Sequence, residues 1–260
     1  MQRELSKKIT KRFKVTKFFN NTIIEDKLSI IKEKNYKVFV NGNKLTSVNL
    51  LPFNEIEYIY GFLFTHSLID SLEDVVSCRI CDKSNFHIYL RNNKTYSFSN
   101  VLVLSEFMEK KYLKKEDMAP VNSNISVNPL QMLNMYKKIN SSVQIFPLVE
   151  GIHKCALYKS EDKFIIFEDI SIFSAIDKLV GHGLINNLNN DGIFYTTDKI
   201  TDEIITKCLL AKFPIVATSA FVTTMAVDLA VKFNITLAQL VDNNTFLILE
   251  DKVKRITNVF

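Results

Sequence analysis

The chain has 260 residues, 47% of them hydrophobic, with 33 basic and 28 acidic side chains for a net charge of +5. That content is enough for one large core or two smaller ones, and two are expected. Four irregularly spaced cysteines exclude a disulfide framework, and six glycines are too few for the Gly-rich phosphate loops of common nucleotide enzymes.

The N-terminal stretch "MQRELSKKITKRFKVTKF" carries charges where a signal peptide would carry its apolar run, and no window approaches the ~18 apolar residues of a membrane span. A soluble, cytoplasmic protein with no membrane partner is expected. Residues 1–19 read as a basic arm, with Lys7, Lys8, Lys11, Arg12, Lys14 and Lys17 against Glu4. Such an arm is either solvated or in contact with an anionic partner. No nucleic-acid module accompanies it, so no nucleic-acid partner is expected.

Residues 20–125 read as a strand-rich domain. "YKVFVNGNKLTSVNL" alternates around Asn41-Gly42, a hairpin signal. Asn54 is a candidate N-cap for a helix to about Thr65, with Ile56, Ile59, Tyr60 and Leu63 on one face. "DVVSCRI", "NFHIYLRN" and "KTYSFSNVLVL" are extended in character, and the charged run "EKKYLKKED" follows.

Residues 126–260 read as an α/β domain. Asn128 and Pro129 open a helix with Met132, Leu133 and Tyr136 on one face. Strands at "KCALYKS" and "KFIIFED" precede a helix "SIFSAIDKLVGHG" ending at Gly183 and a helix "TDEIITKCLLAKF" stopped by Pro214. "PIVATSA", helix "TTMAVDLAVKF", "ITLAQLV" and "TFLIL" complete the alternation, with "FIIFE", "PIVAT" and "ITLAQ" as buried strands.

Taken in order, "VFVNG", "NEIEYIYGFLFTHSLI", "EGIHKCAL", "FEDISIFSAIDKLVG" and "FPIVATSAFVTTMAVDLAVKFNITL" resemble the formate dehydrogenase accessory sulfurtransferase family, FdhD, over most of residues 20–250. The resemblance implies an α+β protein whose C-terminal domain has the cytidine-deaminase fold. It also implies a sulfur carrier that takes sulfur from a cysteine desulfurase and passes it to the molybdenum or tungsten bis-pterin guanine dinucleotide cofactor of formate dehydrogenase, and it is compatible with a homodimer. The sequence lacks the H-x-E and P-C-x-x-C of a zinc deaminase. A diverged accessory protein that contacts the cofactor or its enzyme without carrying sulfur is the alternative.

By resemblance the cofactor-binding residues are Gly151, His153, Glu168, Asp169, Lys199 and Ser219. "VEGIHK" has lost one family glycine, "EDISIFSA" has lost a glycine, an arginine, a histidine and an asparagine, and Lys199 in "TDK" stands where an arginine is usual. His66 and Ser67 replace a glutamate and a glycine after "GFLFT". A lysine meets a phosphate as a point charge, whereas an arginine grips it with a two-pronged fork. The cofactor-facing role of His153 is what the resemblance implies; read from the residues alone it is a hydrogen-bonded core histidine, and Glu168-Asp169 can serve as acids at a helix N-terminus. Ser219 sits at a strand-to-helix crossing, a common ligand position, without the glycine elbow of a nucleophile.

Cys78 and Cys81 are the candidate sulfur-carrying thiols. "SCRICDKS" resembles the family's cysteine motif by letters. By position the family's cysteine loop falls on Ser99–Phe107, which contains no cysteine. On a strand, residues three apart point to opposite faces and cannot form one site; in a loop they can. The strand reading is preferred, with Cys78 a core filler beside Val76 and Ile80 and no sulfur gained. Arg79 and Lys83 would favour the thiolate on the loop reading. Cys78, Cys81 and His87 offer only three of the four ligands of a structural zinc site, so no metal is expected.

Overall fold

A computed structural model describes residues 8–91, 118–142 and 152–257. "KTYSFSNVLVL", "EKKYLKKED", Ser99–Phe107 and Gly151 lie outside them.

The chain opens with a two-stranded ribbon, β1 (Thr10–Phe19) and β2 (Thr22–Ile31), antiparallel in continuous register from Thr10↔Ile31 to Phe19↔Thr22. Asn20 and Asn21, both at positive φ, turn it. The distal part of the basic stretch is therefore a strand. It stays exposed because, among the described residues, the ribbon joins no other sheet.

A four-stranded sheet follows, in the order β4 (Asn43–Leu50), β3 (Lys34–Val40), β6 (Asn85–Leu90), β5 (Val75–Cys81). The expected hairpin turn is present, with Asn41 at φ 50° and Gly42 at φ 82°. Helix α1 (Glu55–Thr65) covers one face of the sheet. Its buried residues are Tyr58, Ile59, Gly61, Phe62, Leu63 and Thr65, whereas Ile56 is exposed, a rotation of the expected apolar face. Asn54 is left-handed and makes no N-cap bond; its amide instead donates to Glu57 Oε1 at 3.0 Å.

The second sheet has six strands in the order β12 (Phe246–Glu250), β11 (Thr236–Leu240), β10 (Ile215–Thr218), β9 (Ile193–Thr196), β7 (His153–Ser160), β8 (Lys163–Asp169). β9, β10 and β11 are parallel, β7 runs against β9 and β8, and β12 runs against β11. Alternate residues feed two cores. Ala156, Tyr158, Ile193, Tyr195 and Ala217 meet α2 (Pro129–Ser141), whose buried residues are Met132, Met135 and Ile139. Cys155, Leu157, Phe194, Val216 and Leu237 meet α3 (Ile172–Ile185), α4 (Asp202–Leu210) and α5 (Thr224–Lys232) on the other face. Strands covered on both sides read as continuous apolar runs.

Asn128 caps α2 as expected: its Oδ1 accepts from Gln131 N–H at 2.9 Å, and Gln131 Oε1 accepts from Asn128 N–H at 2.8 Å. Helix α3 runs past Gly183 to Ile185, and α4 gives way to left-handed Lys212 before Pro214 is reached.

The two sheets are joined through α1 and α3, which touch along their backbones. A β-carbon on Gly61 would lie 1.7 Å from Asp177 O, and one on Gly181 would lie 1.8 Å from Glu57 O. Only glycine permits that approach.

Candidate functional site

The carboxyl ends of β8, β9 and β10 and the start of β7 lie along one edge of the six-stranded sheet, where α/β sheets hold ligands. Every described cofactor-binding candidate sits on or next to this edge. His153 opens β7 opposite Asp169, and the next rung pairs Lys154 with Glu168. Lys199 follows β9 and Ser219 follows β10.

His153 Nδ1 donates to Asp198 Oδ2 at 2.7 Å, with side-chain exposures of 38% and 19%. The histidine is thus part surface and part anchored. Ser219 Oγ accepts from the Tyr195 hydroxyl at 2.9 Å, a hydroxyl also 3.4 Å from Asn140 Oδ1 on α2. Burial pushes the Tyr195 hydroxyl up to about 12, so it acts as a neutral donor. Lys199 is exposed, leaving its ammonium available as a point charge.

Lys154 is buried and points its ammonium at Ile139 O (3.4 Å) and Ser142 O (3.2 Å), the carbonyls at the end of α2. Desolvation lowers its pKa and the Glu168 carboxylate opposes that shift. Glu168 is likewise buried. Glu168 and Asp169 therefore end β8 and do not open a helix. Asp169 is turned into the interior, 2.5 Å from Lys178 on α3 and accepting from Leu51 N–H at 3.4 Å. It ties the two sheets together.

A second buried group lies beside it. Asp177 Oδ1 accepts from Lys207 (2.5 Å) and from the Thr65 hydroxyl (2.7 Å), and Lys207 also reaches Thr65 Oγ1 (2.9 Å). Desolvation raises Asp177 and lowers Lys207, and their attraction only partly offsets it. Desolvation likewise drives His66 well down; the Lys207 charge adds to that, and its Nδ1 lies 2.8 Å from Phe62 O. Sequence reading missed Asp198, Lys154, Tyr195 and this network. The signal for the network was present in two glycines, Gly61 and Gly181, inside strongly patterned helices, where glycine costs about 1 kcal/mol unless packing requires it.

The cysteines are separated. β5 pairs Cys78 with buried Ile88 and Cys81 with Asn85, so the two thiols face opposite sides of the four-stranded sheet. A bulge between Val75 and Ser77 turns Val76 outward, and Val75 takes the core position beside Cys78. Burial pushes the Cys78 thiol up to about 11. Cys81 is exposed on the face that carries Arg79 and His87. Cys155 and Cys208 are buried and raised by desolvation. Cys78, Cys81 and His87 do not converge on a metal position, because Cys78 faces the core.

The FdhD/NarQ family profile matches residues 31–256. A sulfur carrier protein FdhD of Sulfolobus acidocaldarius is 28% identical over 225 residues, covering 82% of this chain and 86% of that one. The sulfur carrier protein FdhD of Staphylococcus aureus strain JH9 is 26% identical over 244 residues, 90% of each chain. The crystal structure of a candidate formate dehydrogenase accessory protein from Desulfotalea psychrophila superimposes with a TM-score of 0.80 at 20% identity, covering 96% of this chain and 100% of that one. No described helix is long and apolar enough to cross a membrane. The chain belongs to the FdhD/NarQ family.

Proposed function

We propose that this protein serves formate dehydrogenase maturation as a sulfur carrier, taking sulfur from a cysteine desulfurase and delivering it to the molybdenum bis-pterin guanine dinucleotide in the cytoplasm. The observation that carries the reading is the family match across residues 31–256, joined by two relatives named as sulfur carriers. The reading extends to a cytidine-deaminase-like C-terminal domain over residues 126–260, supported by its layered six-stranded sheet, and to a strand-rich domain over 20–125.

The cofactor enters as cargo. Its guanine nucleotide end suits the carboxyl edge of the six-stranded sheet, where His153, Ser219 and Lys199 supply a ring nitrogen, a hydroxyl and a point charge. Asp169 and Glu168, buried at the end of β8 with Lys178 and Lys154 as their neighbours, brace the edge. Among the described thiols, Cys81 is the one exposed to a donor. Its thiolate attacks the terminal sulfur of the donor persulfide, the donor S–S bond breaks, and the donor leaves as a thiolate while Cys81 holds the persulfide. Delivery of that sulfur as sulfide takes two electrons from a thiol reductant.

A second reading, an accessory protein that binds cofactor or enzyme without carrying sulfur, is favoured by one observation: the C-x-x-C pair is split across the sheet, with Cys78 buried. Intact mass spectrometry after incubation with a cysteine desulfurase and cysteine separates the two. The carrier reading expects one added sulfur atom, retained in Cys78→Ala and absent in Cys81→Ala. An unchanged mass overturns it and leaves the second reading.

A further inference from the structure

Asp198 is held on four sides. Its N–H donates to Thr196 Oγ1 at 3.1 Å, and its carbonyl accepts from the Thr218 hydroxyl at 2.6 Å. Carboxylate Oδ1 accepts from Lys199 N–H at 2.7 Å, which leaves Oδ2 for His153 Nδ1 at 2.7 Å. An ionised carboxylate only accepts, so the hydrogen in the last contact belongs to the imidazole. In the neutral ring the other nitrogen, Nε2, then carries the lone pair.

We propose that Asp198 is a positioning residue that locks His153 as the Nδ1–H tautomer and so presents Nε2 as a hydrogen-bond acceptor at the carboxyl edge of the sheet, matched to a donor group of a bound nucleotide. The ligand half of this statement rests on the nucleotide end of the cargo lying at that edge. A guanine base, with N–H groups on its pairing edge, or a ribose hydroxyl supplies such a donor. The tautomer half rests on the geometry alone. The anchoring of Asp198 by backbone and threonine groups means that the carboxylate does not have to be ordered when the ligand arrives, so little rotamer entropy is lost on binding.

The substitution Asp198→Asn inverts this arrangement. Lys199 N–H requires an acceptor, so it retains the amide oxygen, and the amide nitrogen turns to His153. That nitrogen can only donate. The imidazole must then accept at Nδ1 and carry its hydrogen on Nε2, the opposite tautomer. A ligand donor would meet another donor.

Long-range proton–nitrogen correlation spectra of the full chain at mildly alkaline pH, where imidazoles are neutral, read the tautomer directly. The His153 signals are identified among the four histidines by their loss in His153→Gln. The expected result is Nδ1–H in the unsubstituted protein and Nε2–H in Asp198→Asn. Guanosine diphosphate, titrated by calorimetry, should bind about tenfold more weakly to the variant, the scale of one hydrogen bond lost to an unpaired donor. An Nε2–H signal in the unsubstituted protein overturns the proposal, and that spectrum needs no variant to fold. Identical tautomers in a folded Asp198→Asn overturn it as well. An inverted tautomer with no nucleotide bound by either protein supports the role of Asp198 and instead removes the nucleotide from this edge.

Discussion

Gly181→Ala tests the junction between the two sheets. A β-carbon at residue 181 would stand 1.8 Å from Glu57 O and 2.7 Å from Gly61 N. Ordinary contact begins at about 3.5 Å, so α1 and α3 must part by roughly 1.7 Å. The obstructing atoms are backbone, so no side chain can swing aside. Helix propensity alone favours the alanine by about 1 kcal/mol. Against that stand overpacking, about 1–3 kcal/mol, and the loosening of the buried Asp177, Lys207 and Thr65 group, whose bonds of 2.5–2.9 Å do not survive a displacement of that size. Breaking such a buried pair costs about 3–5 kcal/mol. The net expectation is a loss of about 3–7 kcal/mol, read by urea denaturation as a midpoint lower by roughly 1–3 M. Gly61→Ala strains the same seam, so the double variant should lose less than the two single losses added. A Gly181→Ala protein as stable as the parent, or more stable by the propensity term, would refute the close crossing.

Lys207→Met is expected to cost about 3–5 kcal/mol by stranding Asp177, whereas combining it with Asp177→Leu should recover most of the loss, since an apolar pair of matching volume has no charge to desolvate. Alkylation followed by mass spectrometry should modify Cys81 rapidly near neutrality and Cys78 only as the pH rises towards about 11. By the same shift, from an ordinary 9.0 to about 11, the stability tied to the protonated Cys78 thiol is complete below pH 9 and is lost between 9 and 11 as the unfolded chain ionises first. Rapid labelling of Cys78 at neutral pH would contradict its burial. Guanosine diphosphate should bind weakly and chiefly through Lys199, so tight binding unaffected by Lys199→Ala in calorimetry would contradict the point-charge reading.

The layered second half was legible because its strands are covered on both faces. "FIIFE", "PIVAT" and "ITLAQ" are continuous apolar runs and form β8, β10 and β11. β9 escaped notice: Ile193–Thr196 is four residues long, too short to show a period, yet it is a central strand of the sheet. The β1–β2 ribbon was also missed, because its lysines read as solvated charge and its asparagine turn lacks glycine. The family resemblance places Glu168 and Asp169 together as ligands. Strand geometry separates them, sending one towards Lys154 and the other towards Lys178. Asp198 was invisible for the converse reason, since its partner His153 is 45 positions away and only the antiparallel pairing of β7 with β9 brings them together.

The buried ions between the sheets add little to stability that apolar residues of similar volume would not supply. What they add is a requirement on geometry. Asp177 on α3 is satisfied only when Thr65 at the end of α1 and Lys207 on α4 are both in place. Asp169 at the end of β8 is satisfied only with Lys178 on α3 and Leu51 beyond β4. A sliding of α1 along α3 by one turn would keep apolar surface covered but strand two carboxylates in a dry interior, where each unpaired charge costs several kcal/mol. The network therefore selects one orientation of the thiol-bearing sheet against the sheet whose carboxyl edge carries His153. The Asp177→Leu, Lys207→Met double variant separates these roles: it should denature at a midpoint close to the parent while the amide exchange of residues 55–65 and 172–185 quickens, as the seam loses its single register. Unchanged exchange in that variant would assign the selection to the Gly61 and Gly181 crossing alone.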